Sequence, residues 1–272
     1  MSIRYLYTVI FALILLGCSS HEELPPPDNP FDPGNPDYVD PEAEIISGPT
    51  EGEVVDSTAV TLIWEGNESA TEYRYRLDAS AWTEWAESTT ETFEYLDEGN
   101  HSFELQARSV NGDAQTGSSL LDFEVDAVAG PAVLVYPYRH SASPGDTIMY
   151  QIMAEEVADL FAVECQIQFN EEYLELIEVI NGDLLGEWGG ESLVIQDMTA
   201  TSLFLSMVAV EGTTVSFSGS TSIVTVAVRI RSSASITSEN VSVIEINEAV
   251  FLDSLLEQTL LQTVRSGGLD VQ

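Results

Sequence analysis

The chain has 272 residues and is strongly acidic, with 46 Asp and Glu, eight Arg, no Lys and a formal net charge of −38. Nucleic acid and anionic lipid both require a cationic surface, so this charge excludes nucleic acid as a partner and disfavours an anionic bilayer surface. The carboxylates are read as a solvated coat, with incidental calcium binding as the alternative. The sequence contains no EF-hand-like loop, and we predict neither a metal site nor a cofactor.

The N-terminus has the pattern of an export signal. Arg4 precedes an apolar run over residues 5–16, which is too short for a membrane-spanning helix and ends in Leu-Leu-Gly-Cys18. This ending resembles the lipobox of bacterial lipoproteins, in which the peptide is cut before the cysteine and the thiol carries lipid. The resemblance implies a signal peptide over residues 1–17 and attachment to the cell envelope through Cys18, with Ser19 favouring the outer membrane and leaving surface exposure open. An ordinary secretory peptide is the alternative.

A spacer follows the lipid-attachment site. Residues 18–43 combine repeated prolines with acidic residues, a mixture too polar to pack into a core. We predict an extended, semi-stiff tether.

The first folded unit is predicted over residues 44–128. Short β-rich runs at residues 60–64, 72–77, 92–95, 101–109 and 120–125 are separated by turn clusters, which is typical of a β-sandwich. The run ending in Trp64 and the stretch over residues 96–112 resemble a fibronectin type III or related immunoglobulin-like domain. The family's corner tyrosine is absent, and His101 and Phe103 stand nearby.

The second unit is predicted over residues 131–272. Val163, Cys165, Ile167 and Phe169 alternate with polar residues, so a strand with one buried face is expected. The continuing sequence, FNEEYLELIEVINGDLL, supplies a turn, a second strand and a closing Asn-Gly turn. Together with an upstream Pro-Gly-Asp turn, this order resembles the cohesin family, whose members hold partner proteins and do no chemistry. The fold class is therefore predicted as all-β, with an immunoglobulin-like or fibronectin type III-like sandwich followed by a cohesin-like jelly-roll sandwich.

Few residues could support catalysis. His21, His101 and His140 stand at spacings that place no two ligands on one metal, and neither a nucleophile elbow nor a phosphate-binding glycine loop is present. Cys165 lies in the apolar row and is read as a small buried hydrophobe. We therefore predict a protein that is not an enzyme.

The cohesin resemblance implies that a dockerin-type module binds an outer sheet face. On the predicted strand over residues 202–210, the inward row is Leu203, Leu205, Met207 and Ala209. Phe204 and Val208 then face out, as expected for an apolar contact patch with a polar rim. Such a protein could display polysaccharide-degrading enzymes. The residues predicted to bind the partner are Glu164, Gln166, Gln168, Phe204, Ser206 and Val208.

Glycan binding is the alternative function. Carbohydrate-binding modules similar to cohesins use exposed aromatic side chains, and Trp82, Trp85 and Trp188 are the residues considered for this role. Trp82 and Trp85 are favoured as a cover over the edge of the first core. For Trp188, an exposed anchor and a lid on the core are equally compatible with the sequence.

Overall fold

The computed structural model describes residues 34–212, 216–234 and 241–272, and for residues 211 and 212 it describes the backbone alone. The predicted signal peptide, Cys18, His21 and most of the tether lie outside these ranges. Within them, no helix has the length and apolarity needed to cross a membrane.

The first unit is a sandwich of two sheets, with strand orders β1-β3-β5 and β2-β7-β6-β4. Strand β2 is parallel to β7, and the other pairs are antiparallel. The seven strands are β1 (Ala43–Ser47), β2 (Glu53–Val55), β3 (Val60–Gly66), β4 (Glu72–Leu77), β5 (Thr90–Phe93), β6 (Gly99–Arg108) and β7 (Ser119–Val125).

Trp64 lies at the centre of the first core, as its sequence context predicts. It is 1% exposed, and its ring centroid lies 6.0 Å from that of Phe103 and 5.7 Å from that of Tyr75. Phe103 is fully buried in the same core. His101 is also buried and bridges Asp78 Oδ2, at 2.8 Å, and the carbonyl oxygen of Asp97, at 3.0 Å. The histidine therefore connects two loops of the sandwich, a structural role.

The second unit is a larger sandwich, with strand orders β12-β15-β10-β8-β18 and β13-β14-β11-β16-β19-β9, and β17 pairs with β16. Its elements are β8 (Ala132–Tyr136), β9 (Arg139–Ala142), β10 (Thr147–Leu160), β11 (Ala162–Phe169), β12 (Leu174–Asn181), the short helix α1 (Leu184–Glu187), β13 (Gly190–Met198), β14 (Ser202–Gly212), β15 (Phe217–Ile230), β16 (Val241–Leu252), β17 (Gln258–Thr259), β18 (Thr263–Arg265) and β19 (Gly267–Val271). The predicted all-β fold with two sandwiches is confirmed.

The apolar rows of β11 and β14 point into the second core. Cys165 pairs with Leu205 and Ile167 with Leu203, and all four side chains are at most 2% exposed. Their burial matches the predicted alternation, because a period of two assigns every second residue to one face. The opposite rows of the same strands therefore form the outer face of this sheet.

Candidate partner-binding face

Four neighbouring strands, β13, β14, β11 and β16, align their outward residues in rows across the second sandwich. The first row consists of Leu193, Val208, Ala162 and Leu252, in spatial order. It is entirely apolar. We call this row, together with the second and third rows described next, the docking face.

The next two rows become steadily more polar. Ile195, Ser206, Glu164 and Val250 form the second row, so apolar side chains stand at both ends of it. The third row consists of Asp197, Phe204, Gln166 and Glu248.

Hydrogen bonds fix the polar edge of the docking face. Gln166 Nε2 donates to Glu248 Oε2 at 3.1 Å, and Gln168 Nε2, beyond the third row, donates to the carbonyl oxygen of Thr201 at 2.7 Å. Phe204 thus lies among side chains that are polar or already paired. The face has an apolar end, at the first row, and a polar end, beyond the third.

One surface depression lies at each end of the docking face. A depression of about 150 Å³ lies at the apolar end, lined by residues of β11, β14 and β16 that include Ala162, Val208 and Leu252. A second, of about 290 Å³, lies at the polar end and includes Gln168, Asp197 and Phe204. The six predicted partner-binding residues are therefore distributed along one continuous surface, and their contact with a partner stays a prediction.

Phe204 and Val208 lie on the outer face as predicted, but they are half-buried and not fully open to solvent. The reason is that β14 is an interior strand, flanked on the outer face by side chains of β13 and β11. Greater exposure falls on the edge strand β13, where Leu193 is 52% and Ile195 is 51% exposed. Among the residues of the three rows, the most accessible apolar side chains are thus one strand away from the expected position.

Sequence reasoning missed the contributions of β13 and β16. The run Leu193-Val194-Ile195 is apolar at three consecutive positions, so alternation gives no inward or outward assignment. Strand β16 places Val250 and Leu252 on the docking face only because of its pairing with β11. The short apolar run would have predicted a strand over residues 192–196, but not which strand pairs with it.

Trp188 is not a binding residue, and its possible role as an exposed glycan anchor is wrong. The side chain is 1% exposed and lies in the core of the second sandwich. Its Nε1 donates a hydrogen bond to the carbonyl oxygen of Leu160 at 2.9 Å. Helix α1 ends at Glu187, and the following residue turns its indole inward as a lid on the core.

Trp82 and Trp85 lie outside the first core and stack with arginines on the surface of β4 and β6. The guanidinium of Arg74 lies 4.8 Å from the ring centroid of Trp82 and 4.6 Å from that of Trp85. Arg76 lies 4.7 Å from Trp82, and Arg108 lies 4.7 Å from Trp85. We call these five side chains the arginine–tryptophan cluster. Each indole has two guanidinium partners, which compete with a glycan for its ring faces.

Cross-strand partners hold these arginines in place. Arg76 pairs with Glu104 at 2.6 Å, Arg108 pairs with Glu72 at 2.6 Å, and Arg74 donates to Gln106 Oε1 through Nε and Nη2. These pairs sit directly opposite each other on β4 and β6. The cluster therefore covers a surface of the first sandwich, beside rather than over its core.

The described residues bring no three His, Cys, Asp or Glu side chains together in a group that could hold a metal ion. Cys165 is fully buried, and burial raises the pKa of its thiol to about 12. A thiol in this state is a poor nucleophile at neutral pH.

Comparisons with known proteins give matches at the level of solved structures. No protein-family model matches the chain, and no curated protein matches it. A non-cellulosomal cohesin from the archaeon Archaeoglobus fulgidus is 13% identical, covers 52% of this chain and 88% of its own, and has a TM-score of 0.41. A type II cohesin from Bacteroides cellulosolvens is 11% identical over 52% of this chain and 99% of its own, with a TM-score of 0.42.

A third match is a type I cohesin–dockerin complex from Clostridium thermocellum. It is 16% identical and covers 55% of this chain and 98% of the matched one, with a TM-score of 0.43. All three of these solved structures contain cohesin domains.

Proposed function

We propose that this chain is a lipid-anchored envelope protein whose second sandwich binds a partner protein non-covalently and performs no chemistry. The observation that carries the proposal is the apolar row Leu193, Val208, Ala162 and Leu252, which crosses four adjacent strands and borders an apolar depression of about 150 Å³. Protein-binding surfaces usually combine an apolar patch with polar residues at its edge, and the second and third rows supply that polar edge on one side.

The shape and charge of the docking face favour one kind of partner. A broad sheet face suits a partner that lays helices across it, with apolar side chains over the first row. Asp197 and Glu248 stand at the two ends of the third row, and Glu164 stands within the second. A partner with basic side chains flanking an apolar ridge would complement this arrangement.

A dockerin-type module is the partner that we infer. The order of elements and the FN, YLEL and NGDLL segments of the sequence resemble cohesins, and this resemblance supports the choice. Display of a polysaccharide-degrading enzyme through such a module would follow from it.

Calorimetric titration of residues 34–272 with a purified dockerin-type module, with and without calcium, tests the binding proposal. We expect saturable binding that Phe204→Asp weakens strongly. Leu120→Asp is the matched control, because Leu120 is an exposed apolar residue, 64% accessible, on the first sandwich. Equal loss of affinity in both variants, or full affinity in Phe204→Asp, would remove the docking face as the site.

The anchoring proposal rests on the apolar run that ends at Cys18. Replacing Cys18 by Ala is expected to abolish labelling by a fatty-acid probe and processing before residue 18. A Cys18→Ala protein that is still cut at this position and labelled would show that Cys18 is not the lipid-attachment site.

A further inference from the structure

The loop of residues 94–98, between β5 and β6, contacts the second sandwich. Leu96 is buried in the first core and fixes the loop there. Next to it, Asp97 Oδ1 accepts a hydrogen bond from the backbone N–H of Tyr138, at 2.5 Å, and the ring centroids of Tyr95 and Tyr138 lie 5.5 Å apart. One short loop is therefore anchored in one core and bonded to the other unit.

Glu98 joins three parts of the molecule. Its Oε1 accepts a hydrogen bond from Arg265 Nη1, on β18 of the second sandwich, at 3.2 Å. Its Oε2 accepts hydrogen bonds from the backbone N–H groups of Ala127, at 3.0 Å, and Val128, at 3.4 Å, in the linker between the sandwiches. A single carboxylate therefore holds the first sandwich, the linker and the second sandwich together.

The Glu98–Arg265 pair is shielded from water. The Glu98 side chain is 13% exposed and that of Arg265 is 10% exposed, and the Arg265 guanidinium also lies 4.6 Å from the ring centroid of Tyr138. Removing one of these side chains would leave the other charge shielded without its partner, which is costly. Burial also raises the pKa of the neighbouring Asp97 carboxyl, against the opposing effects of the Tyr138 N–H and Arg265.

The linker itself is pinned at successive positions. The N–H of Asp126 donates to the carbonyl oxygen of Val55 in the first sandwich, at 2.9 Å. Val128 is buried against Ala132 and Leu134, and the N–H of Gly130 donates to Glu156 Oε2 at 2.8 Å. In the sequence this segment lies where the two predicted units meet. In the structure it is packed against both of them.

We propose that Glu98 and Arg265 form a clamp that locks the two sandwiches into one rigid unit and holds the docking face at a fixed angle to the first sandwich. Polar junctions within a chain ordinarily permit domain motion. Here the loop, the linker and β18 converge on one buried ion pair, so movement of either sandwich must break it. The clamp acts whether or not the docking face binds a partner.

Electron–electron distance measurement between spin labels tests the clamp. Residues 34–272 include the three hydrophobic clusters of the described part of the chain. Glu87→Cys and Glu172→Cys would place one label on an exposed position of each sandwich, and Cys165 should stay unlabelled because it is fully buried. We expect a single narrow distance distribution in this parent protein and roughly a doubling of its width in Glu98→Ala, as the sandwiches gain independent motion.

Two further variants make the result specific. Glu124→Ala removes an exposed carboxylate of β7 and should leave the distribution narrow. Glu98→Gln keeps an acceptor for the linker N–H groups but loses the charge facing Arg265, so an intermediate width is expected, and it serves in place of Glu98→Ala if that variant fails to fold. A broad distribution in the parent, or a distribution in both Glu98 variants as narrow as that of the parent, would overturn the clamp.

Discussion

Two surfaces of this protein carry large apolar or aromatic side chains, and they differ in what already occupies them. On the first sandwich, Trp82 and Trp85 are each stacked against two arginines. On the second sandwich, Leu193 and Ile195 remain about half exposed beside an apolar depression. The two tryptophans are therefore on the occupied surface, and the most exposed residues in the rows of the available surface are aliphatic.

The difference shows that residue type alone does not identify a binding surface. A tryptophan binds a ligand through a free ring face, and cross-strand arginines can occupy that face within the same chain. A leucine on an edge strand has a neighbouring strand on one side only, so cross-strand side chains cannot cover its other side. The following predictions test whether the arginines occupy the first surface and whether the second surface is available to a partner.

The largest effect is expected from Leu205→Asp, on the inward row beneath the docking face. Leu205 is fully buried and pairs with Cys165, so the variant would place an unpaired carboxylate in the core at a cost of several kcal/mol. The second sandwich should unfold, and Cys165 should then react with a thiol reagent. An unreactive Cys165 in the variant would mean that the inward row is misassigned.

Phe204→Asp should affect binding far more than folding. Phe204 lies on the outward row, where substitutions usually change the free energy of unfolding by about 0.5 kcal/mol and a half-buried ring by somewhat more. Burying the new carboxylate against a partner should lower the affinity by about a hundredfold or more, as measured by calorimetry. If Phe204→Asp unfolds the domain while Leu205→Asp is tolerated, the register is shifted by one residue.

A smaller effect is expected from opening the arginine–tryptophan cluster. Arg74→Ala removes the guanidinium shared by Trp82 and Trp85 and should destabilise the first sandwich by about 1–2 kcal/mol in denaturant unfolding. Arg229→Ala is the control, because its ion pair with Glu175, at 3.9 Å, is exposed and contributes about 0–1 kcal/mol. Partner affinity should be unchanged in both variants, and a loss in Arg74→Ala would mean that the cluster belongs to the binding surface.

The smallest effect concerns the acidic coat that surrounds both surfaces. With a net charge of −38, self-repulsion opposes folding, and salt screens it. Raising NaCl from low concentration to about 1 M should raise the thermal midpoint by a few degrees in a melting experiment. A falling midpoint would show that the ion pairs holding the arginines outweigh the repulsion among carboxylates.

Local periodicity was sufficient for much of the fold. The alternation over residues 163–169 predicts which side chains are buried, because side-chain direction in a strand has a period of two and needs no knowledge of neighbours. The position of Trp64 at the centre of the first core was implied by the resemblance of its strand to fibronectin type III domains, not by periodicity. The turn clusters between the short runs separate the strands of both sandwiches.

The tertiary structure decided which of these elements meet. Asp197 and Glu248 are 51 positions apart, yet they stand on opposite ends of one row because β13, β14, β11 and β16 pair in that order. Glu98 and Arg265 are separated by 167 positions and form the buried pair between the sandwiches. The exposure of β13, the burial of Trp188 and the stacking of Trp82 on Arg74 likewise depend on long-range strand order. Alternation along a strand reports only on that strand, whereas pairing depends on which backbone edges the whole chain brings together.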